Sequence, residues 1–152
     1  MICLVMKESP IGPLTLVEED GTLVRVRFGA FEECAGETPL LHQAAEELAA
    51  YFRGERKSFT VPLHPKGTEF QKRCWDALCR IPYGETRTYA QQAQMIGQPK
   101  ACRAVGMGNH RNPLPIFIPC HRVVGSNGTL TGYAGGLSIK ETLLNIERNA
   151  SL

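Results

Sequence analysis

A stretch with two prolines and a glycine, residues 62–67, separates two parts of the chain that have different sequence patterns. Before it, short apolar segments alternate with turn residues, whereas after it apolar residues recur at helical spacing. A chain of 152 residues can form one large domain or two small ones. The stretch favours two, and we expect domains at 1–62 and 63–152.

The first part combines strands with a helix. Residues 14–17 and 23–28 have the apolar or alternating pattern of strands, and Asp20-Gly21 between them is typical of a hairpin turn. Apolar residues at helical spacing predict a helix from Thr38-Pro39 to Gly54. Residues 59–61 predict one more short strand. Nothing in this part is typical of catalysis.

The second part carries helix-start signals. Capping-box patterns at 68–71 and 88–91 each predict a helix, and the second of these helices ends at Gly97. Pro99 then begins a third helix that runs to about Gly108. Two short helices around a tight turn are a candidate helix-turn-helix, although any small helical hairpin gives the same pattern.

Charge differs between the two parts. Residues 1–62 contain six Lys/Arg and ten Asp/Glu, a balance of −4, whereas residues 63–152 contain eleven and five, a balance of +6. The net charge of the whole chain, +2, hides this difference. The second part therefore suits a polyanionic partner, and the alternative is chance clustering of solvated charges.

The cysteines suggest a reducing compartment. None forms a C-x-x-C pair or stands at a zinc-finger spacing from histidine, so we expect free thiols and no metal. No apolar run approaches the roughly 20 residues needed to span a bilayer, and we find no secretory signal. We expect a cytoplasmic location. The six cysteines are Cys3, Cys34, Cys74, Cys79, Cys102 and Cys120.

An apolar segment closed by Pro119 leads into the pair Cys120-His121. A free thiol has a pKa near 8.5, so only a few per cent is thiolate at neutral pH. An imidazole acting directly or through a water would raise that fraction, and a carboxylate would hold the imidazole in the required tautomer. Taken alone, the pair is more often a core cysteine beside a surface histidine.

The surrounding sequence adds a resemblance. The segment Pro119-Cys120-His121-Arg122-Val123-Val124 resembles the active-site signature of the methylated-DNA–protein-cysteine methyltransferases, or alkylguanine-DNA alkyltransferases. Other segments similar to this family follow its order: 51–54, 103–106, 112–113, 132–136 and 140–147. The resemblance is strong over 63–150 and loose over 1–62. It implies an α+β fold, with a small N-terminal α/β (ribonuclease H-like) domain and a mainly helical, winged helix-turn-helix-like C-terminal domain.

The resemblance also implies a reaction. Cys120 would take the alkyl (methyl) group from O6-alkylguanine in DNA, with O4-alkylthymine as a further candidate, irreversibly, once per molecule and without a cofactor. His121 would be its water-mediated base, and Glu147 would orient the imidazole. Tyr89 would donate its phenol proton toward guanine, and Asn112 would brace the turn before the active site. Without the resemblance, Glu147, Tyr89 and Asn112 would be a solvated charge, a core aromatic and an ordinary turn former.

Binding would require extrusion of the guanine from double-stranded DNA. The resemblance implies that Arg103 fills the vacated space from a helix in the minor groove, which is about 6 Å wide and admits small residues. Lys100 and Arg122 are phosphate contacts or solvated charges. Met107 departs from the small residue usual in the family, and Ala134 replaces a serine that could donate to O6. The remaining DNA- or base-binding candidates are Cys102, Ala104, Val123 and Tyr133. We expect a monomer and no membrane association.

Two other functions compete with this one. A DNA-binding regulator or lesion sensor would lack the reactive cysteine, so Cys120 argues against it. A cysteine hydrolase would use the same pair but would turn over acyl substrates.

Overall fold

The computed structural model describes residues 1–150, which divide into two compact units at Lys66/Gly67. This division lies after the predicted boundary at residue 62, because Leu63 bridges to Leu23 and the His64 N–H donates to the Leu23 carbonyl (2.9 Å). The predicted end of the second domain, residue 152, lies outside the described residues. Within residues 1–150, none of the helices combines the length and apolar character that crossing a membrane requires.

The first unit is an antiparallel sheet with one long helix. The predicted hairpin is confirmed, because Asp20 and Gly21 both have left-handed backbone angles (φ 52° and 76°), as a tight two-residue turn requires. Thr38 caps the helix, its hydroxyl accepting from the Leu41 N–H (3.1 Å). An additional strand at the N-terminus completes the sheet. The elements are β1 (Ile2–Met6), β2 (Leu14–Glu19), β3 (Thr22–Phe28) and α1 (Pro39–Phe52), with sheet order β1-β2-β3.

The predicted strand at 59–61 is wrong. Instead, the backbone N–H and the hydroxyl of Thr60 donate to the carboxylate of Glu47 on α1, at 2.8 and 2.6 Å. Glu47 is buried, and a buried carboxylate must be hydrogen-bonded. The segment therefore serves this carboxylate in place of a strand partner.

The expectation of free thiols is wrong at two positions. Cys3 of β1 and Cys34 form a disulfide with a Cα–Cα distance of 5.4 Å. The backbone supports the same pairing, since the Cys3 N–H donates to the Cys34 carbonyl (2.8 Å). A separation of 31 residues gives no local sign of such a pair.

The second unit is mainly helical. Both capping boxes are confirmed: the Thr68 hydroxyl accepts from the Gln71 N–H, and the Gln71 side chain accepts from the Thr68 N–H, with Thr88 and Gln91 paired in the same way. The third predicted helix begins at Cys102, later than Pro99, after a turn in which the Ala101 N–H donates to the Gln98 carbonyl. The elements are α2 (Glu69–Cys79), β4 (Arg87–Thr88), α3 (Tyr89–Met95), α4 (Cys102–His110), β5 (Val123–Val124) and α5 (Leu137–Ala150), with β4 and β5 parallel.

One face of α4 is fixed against α2 and α3. The Trp75 indole donates to the Gly108 carbonyl (2.9 Å), and a side chain at Gly108 would stand 3.1 Å from the Cys74 sulfur. The buried amides of Gln92 and Asn109 donate to each other's oxygens at 2.9 and 2.7 Å. These contacts set the orientation of α4 and leave its opposite face outward.

Candidate active site

Cys120 begins a short 3-10 helix, Cys120–Arg122, after a sharply turned segment. Within that segment Ile116 is buried with φ at 76°, a conformation that costs a β-branched residue about 1–3 kcal/mol. Asn112 holds the turn at both ends, because its oxygen accepts from the Leu114 N–H (2.9 Å) and its nitrogen donates to the Ile118 carbonyl (2.8 Å). The position of Cys120 is therefore imposed by surrounding contacts.

Cys120 is 7% exposed, and its sulfur is surrounded by groups that favour a thiolate. Burial raises the pKa of the thiol. Three neighbours act in the opposite direction: a hydrogen bond from the Asn112 amide (3.2 Å), the positive charge of Lys140 and a hydrogen bond with Tyr133. The resting thiol is thus protonated, and the site is prepared to stabilise the anion once a base removes the proton.

Lys140 is fully buried beside this site, and it is not among the predicted site residues. Its ammonium donates to the carbonyls of Val123 (2.5 Å) and Thr131 (2.7 Å). Burial lowers the pKa of Lys140, while the nearby Cys120 raises it. A signal was available in the sequence, because residues 140, 143, 144 and 147 share the i, i+3, i+4, i+7 spacing of a buried helix face, and two of them are charged.

His121 and Glu147 meet in the interior, with Nε2 and Oε2 2.6 Å apart. Arg122 donates to both carboxylate oxygens (2.9 and 3.1 Å), and the Gly84 N–H donates to Oε1 (3.1 Å). Burial raises the pKa of Glu147, but the hydrogen bonds and charges of His121 and Arg122 outweigh it and hold that pKa at about 2. Burial lowers the pKa of His121, which is therefore neutral at pH 7. With Nε2–H donating to the carboxylate, the lone pair lies on Nδ1.

The prediction that Arg122 contacts DNA phosphate is wrong. Its guanidinium is buried, and besides Glu147 it donates to the Ile81 carbonyl at 2.7 Å. The low pKa of Glu147 requires this internal pairing. Val123 is also fully buried and its carbonyl accepts from Lys140, so its base contact stays a prediction.

The outward face of α4 borders a cavity of about 770 Å³. Tyr89 lies in its wall, with its hydroxyl donating to the Thr131 carbonyl (3.4 Å) and accepting from the Thr131 hydroxyl (3.2 Å). The cavity thus gathers several predicted DNA-binding residues and some that were not predicted, such as His110. The lining residues are Tyr89, Cys102, Arg103, Gly106, Met107, His110, Thr131 and Gly132.

The other predicted DNA-binding residues are also at the surface. Lys100 and Ala104 are exposed beside this cavity lining, and Ala134 is exposed in the loop before α5. Spacing could have identified His110, since it follows Arg103 by seven residues on the same helix face. Among residues 1–150, no three histidine, cysteine, aspartate or glutamate side chains gather in a way that could hold a metal ion.

Both units match models of one protein family. Residues 69–149 match the 6-O-methylguanine DNA methyltransferase, DNA binding domain, and residues 2–65 match the 6-O-methylguanine DNA methyltransferase, ribonuclease-like domain. The chain belongs to the 6-O-methylguanine DNA methyltransferase family. The predicted fold class, a ribonuclease-like domain followed by a DNA-binding domain, is confirmed.

Close relatives extend over nearly the whole methyltransferase chain. The methylated-DNA–protein-cysteine methyltransferase of Methanosarcina acetivorans is 53% identical, over 92% of this chain and 94% of its own. The constitutive methyltransferase of Bacillus subtilis is 51% identical, over 93% and 92%. The crystal structure of Mycobacterium tuberculosis OGT in complex with DNA superposes with a TM-score of 0.90 at 44% identity, covering 99% of this chain and 94% of that one.

Proposed function

We propose that this methyltransferase repairs O6-alkylguanine in double-stranded DNA by moving the alkyl group to the sulfur of its own Cys120. A carbon–sulfur bond forms as the carbon–O6 bond breaks, and the electron pair of that bond leaves with guanine, which then takes up a proton. The thioether is stable, so each molecule reacts once. The arrangement of Asn112, Tyr133 and Lys140 around the buried sulfur carries the proposal, because it stabilises a thiolate nucleophile.

The proton of the thiol has a defined acceptor in the proposal. His121 is neutral and takes the proton through a bridging water, and the carboxylate of Glu147 stabilises the imidazolium that forms. Arg122 keeps that carboxylate ionised. Tyr89 donates toward the extruded guanine from the wall of the cavity and offsets the charge that develops as guanine leaves.

The outward face of α4 is the proposed DNA surface. Lys100 and Arg103 are exposed there, and the predicted C-terminal domain carries the net positive charge. Ala104 and Gly106 keep the helix slim enough for the minor groove, where Arg103 occupies the space that the extruded guanine leaves. A cytoplasmic location belongs to the same proposal, and cell fractionation followed by immunoblotting tests it.

The decisive test is the mass of the intact protein after incubation with duplex DNA containing O6-methylguanine. We expect a gain of one methyl group, mapped by peptide analysis to Cys120, and a gain limited to one per molecule. Cys120→Ala retains DNA binding and gains no mass, while Cys79 and Cys102 serve as internal thiol controls. An unchanged wild-type mass would contradict the proposal and favour a lesion sensor, and repeated turnover of acyl substrates would favour a hydrolase.

A further inference from the structure

Met107 is a large apolar side chain on the outward face of α4, and it is 55% exposed. It follows Arg103 by four residues, which places both side chains on the same side of the helix, and both line the same cavity. Met107 is one of the large apolar side chains that the fold does not bury. What it contacts is therefore whatever α4 binds.

The neighbours of Met107 fix its position. The next residue, Gly108, accepts from Trp75 and has no room for a side chain beside Cys74. The residue after it, Asn109, is joined to α3 through Gln92. The backbone at Met107 therefore cannot retreat, and its side chain must enter any groove that receives α4.

The floor of the minor groove presents different groups for the two kinds of base pair. An A·T pair offers acceptors alone, whereas a G·C pair adds the N2 amino group of guanine, which projects into the groove as a donor. A thioether is a weak acceptor and apolar wedges in this groove exclude water. A G·C pair beneath Met107 therefore loses one hydrogen bond more than an A·T pair, and also has less space for the side chain.

We propose that Met107 makes repair depend on the base pairs beside the lesion, with A·T favoured over G·C. This inference rests on the proposed binding of α4 in the minor groove. Four residues of helix rise about 6 Å, and successive base pairs are about 3.4 Å apart. With Arg103 in the space left by the guanine, the sensitive pair lies within two steps of the lesion.

The test compares duplexes with a central O6-methylguanine whose flanking pairs, two on each side, are all A·T or all G·C. Single-turnover alkylation of Cys120 is measured at DNA concentrations below saturation. We expect the wild-type protein to react about fivefold faster with the A·T duplex, the effect of roughly one unsatisfied hydrogen bond. Equal rates on the two duplexes would overturn the inference.

Three variants separate the effect of Met107 from the properties of the DNA itself. Met107→Leu keeps an apolar side chain and keeps the preference. Met107→Gln is similar in length and its amide oxygen accepts from the guanine amino group, so the preference disappears or reverses. Leu137→Gln, at the other large exposed apolar side chain of the second unit (48%), is the matched control and leaves the ratio unchanged. A preference that survives in Met107→Gln comes from the DNA and contradicts the proposal.

Each rate is normalised to the reaction of the same variant with the free base O6-methylguanine, which needs no groove binding. This control also distinguishes the two hypotheses. If the wild-type Cys120 gains no methyl group from either substrate, the proposed function fails. If Cys120 is methylated but the ratio between duplexes does not respond to Met107→Gln, the inference about Met107 alone fails.

Discussion

Both units bury a glutamate, and the two carboxylates have different surroundings. Glu47 in the first unit accepts from the neutral side chains of Thr60 and Gln43, with a partly exposed Arg56 at 3.4 Å. Glu147 in the second unit is held by His121 and Arg122, both of them buried. Burial raises the pKa of each carboxyl and the partners lower it, with a net lowering in both cases.

The partners determine what each carboxylate does. Those of Glu47 are polar groups that join α1 to the segment around Thr60, and they include no nucleophile. Those of Glu147 include an imidazole whose chain neighbour is the buried thiol of Cys120. A buried charge is therefore weak evidence for an active site, and a buried charge linked to a titratable base beside a nucleophile is much stronger evidence.

The largest expected effect separates these two carboxylates. Glu147→Gln removes the charge that stabilises protonated His121, and we expect the single-turnover rate of alkyl transfer to fall by about 100-fold or more. Glu47→Gln is the matched control and leaves that rate unchanged, because it lies in the first unit. Circular dichroism verifies that both variants are folded. Similar rates for the two variants would contradict the assignment.

Lys140→Met should have the next largest effect. Loss of the ammonium raises the pKa of Cys120, so we expect the pH profile of alkylation to move toward higher pH and the rate at pH 7 to fall about tenfold. Lys66→Met is the control, since Lys66 pairs with Glu19 at the surface of the first unit. A slower variant with an unmoved pH profile would assign Lys140 a structural role alone.

Acid should weaken the second unit through Glu147. Its pKa in the folded protein is about 2, against an ordinary value of 4.5. The stabilisation is therefore complete above pH 4.5 and is lost as the pH falls from 4.5 toward 2, a change on the order of 3 kcal/mol in the free energy of unfolding. Urea unfolding followed by the fluorescence of Trp75, the single tryptophan, measures it. Glu147→Gln should lose most of this pH dependence, and an equally steep profile in that variant would show that another group causes it.

Reduction of the disulfide should leave alkyl transfer unchanged, because Cys120 and its partners lie in the second unit. Thermal unfolding with and without dithiothreitol, compared with Cys3→Ser, should show the first unit destabilised by about 2–4 kcal/mol. The Cys3→Ser variant should no longer respond to the reductant. A fall in the alkylation rate on reduction would show that the two units are not independent in this respect.

Local features of the fold were predictable from the sequence, and distant contacts were not. The capping boxes at Thr68 and Thr88 and the hairpin at Asp20-Gly21 depend on residues within four positions of one another, so the sequence displays them directly. The burial of Arg122 depends on Glu147, 25 residues away, and on Ile81, 41 residues away. No periodic pattern records such a contact, which is why Arg122 was assigned to the surface.

The candidate site divides in the same way. The family resemblance named Cys120, His121 and Glu147, and the structure joins the last two by a hydrogen bond of 2.6 Å. Lys140 was missed although the apolar spacing of α5 places it on the buried face, because a lysine is usually solvated. A charged residue in a buried helical stripe requires a partner in the interior, and that requirement is the signal that could have identified Lys140.

The contrast between Met107 and Gly108 has a consequence for how this protein can change over generations. Gly108 is confined by Trp75 and Cys74, so most replacements there disturb the packing of α4. Met107 is exposed, so replacements there alter the surface and leave the interior intact. One helix thus carries a position closed to variation directly beside one that is open to it. Descendants of this sequence can adjust which DNA contexts they repair fastest without first acquiring a compensating change in the core.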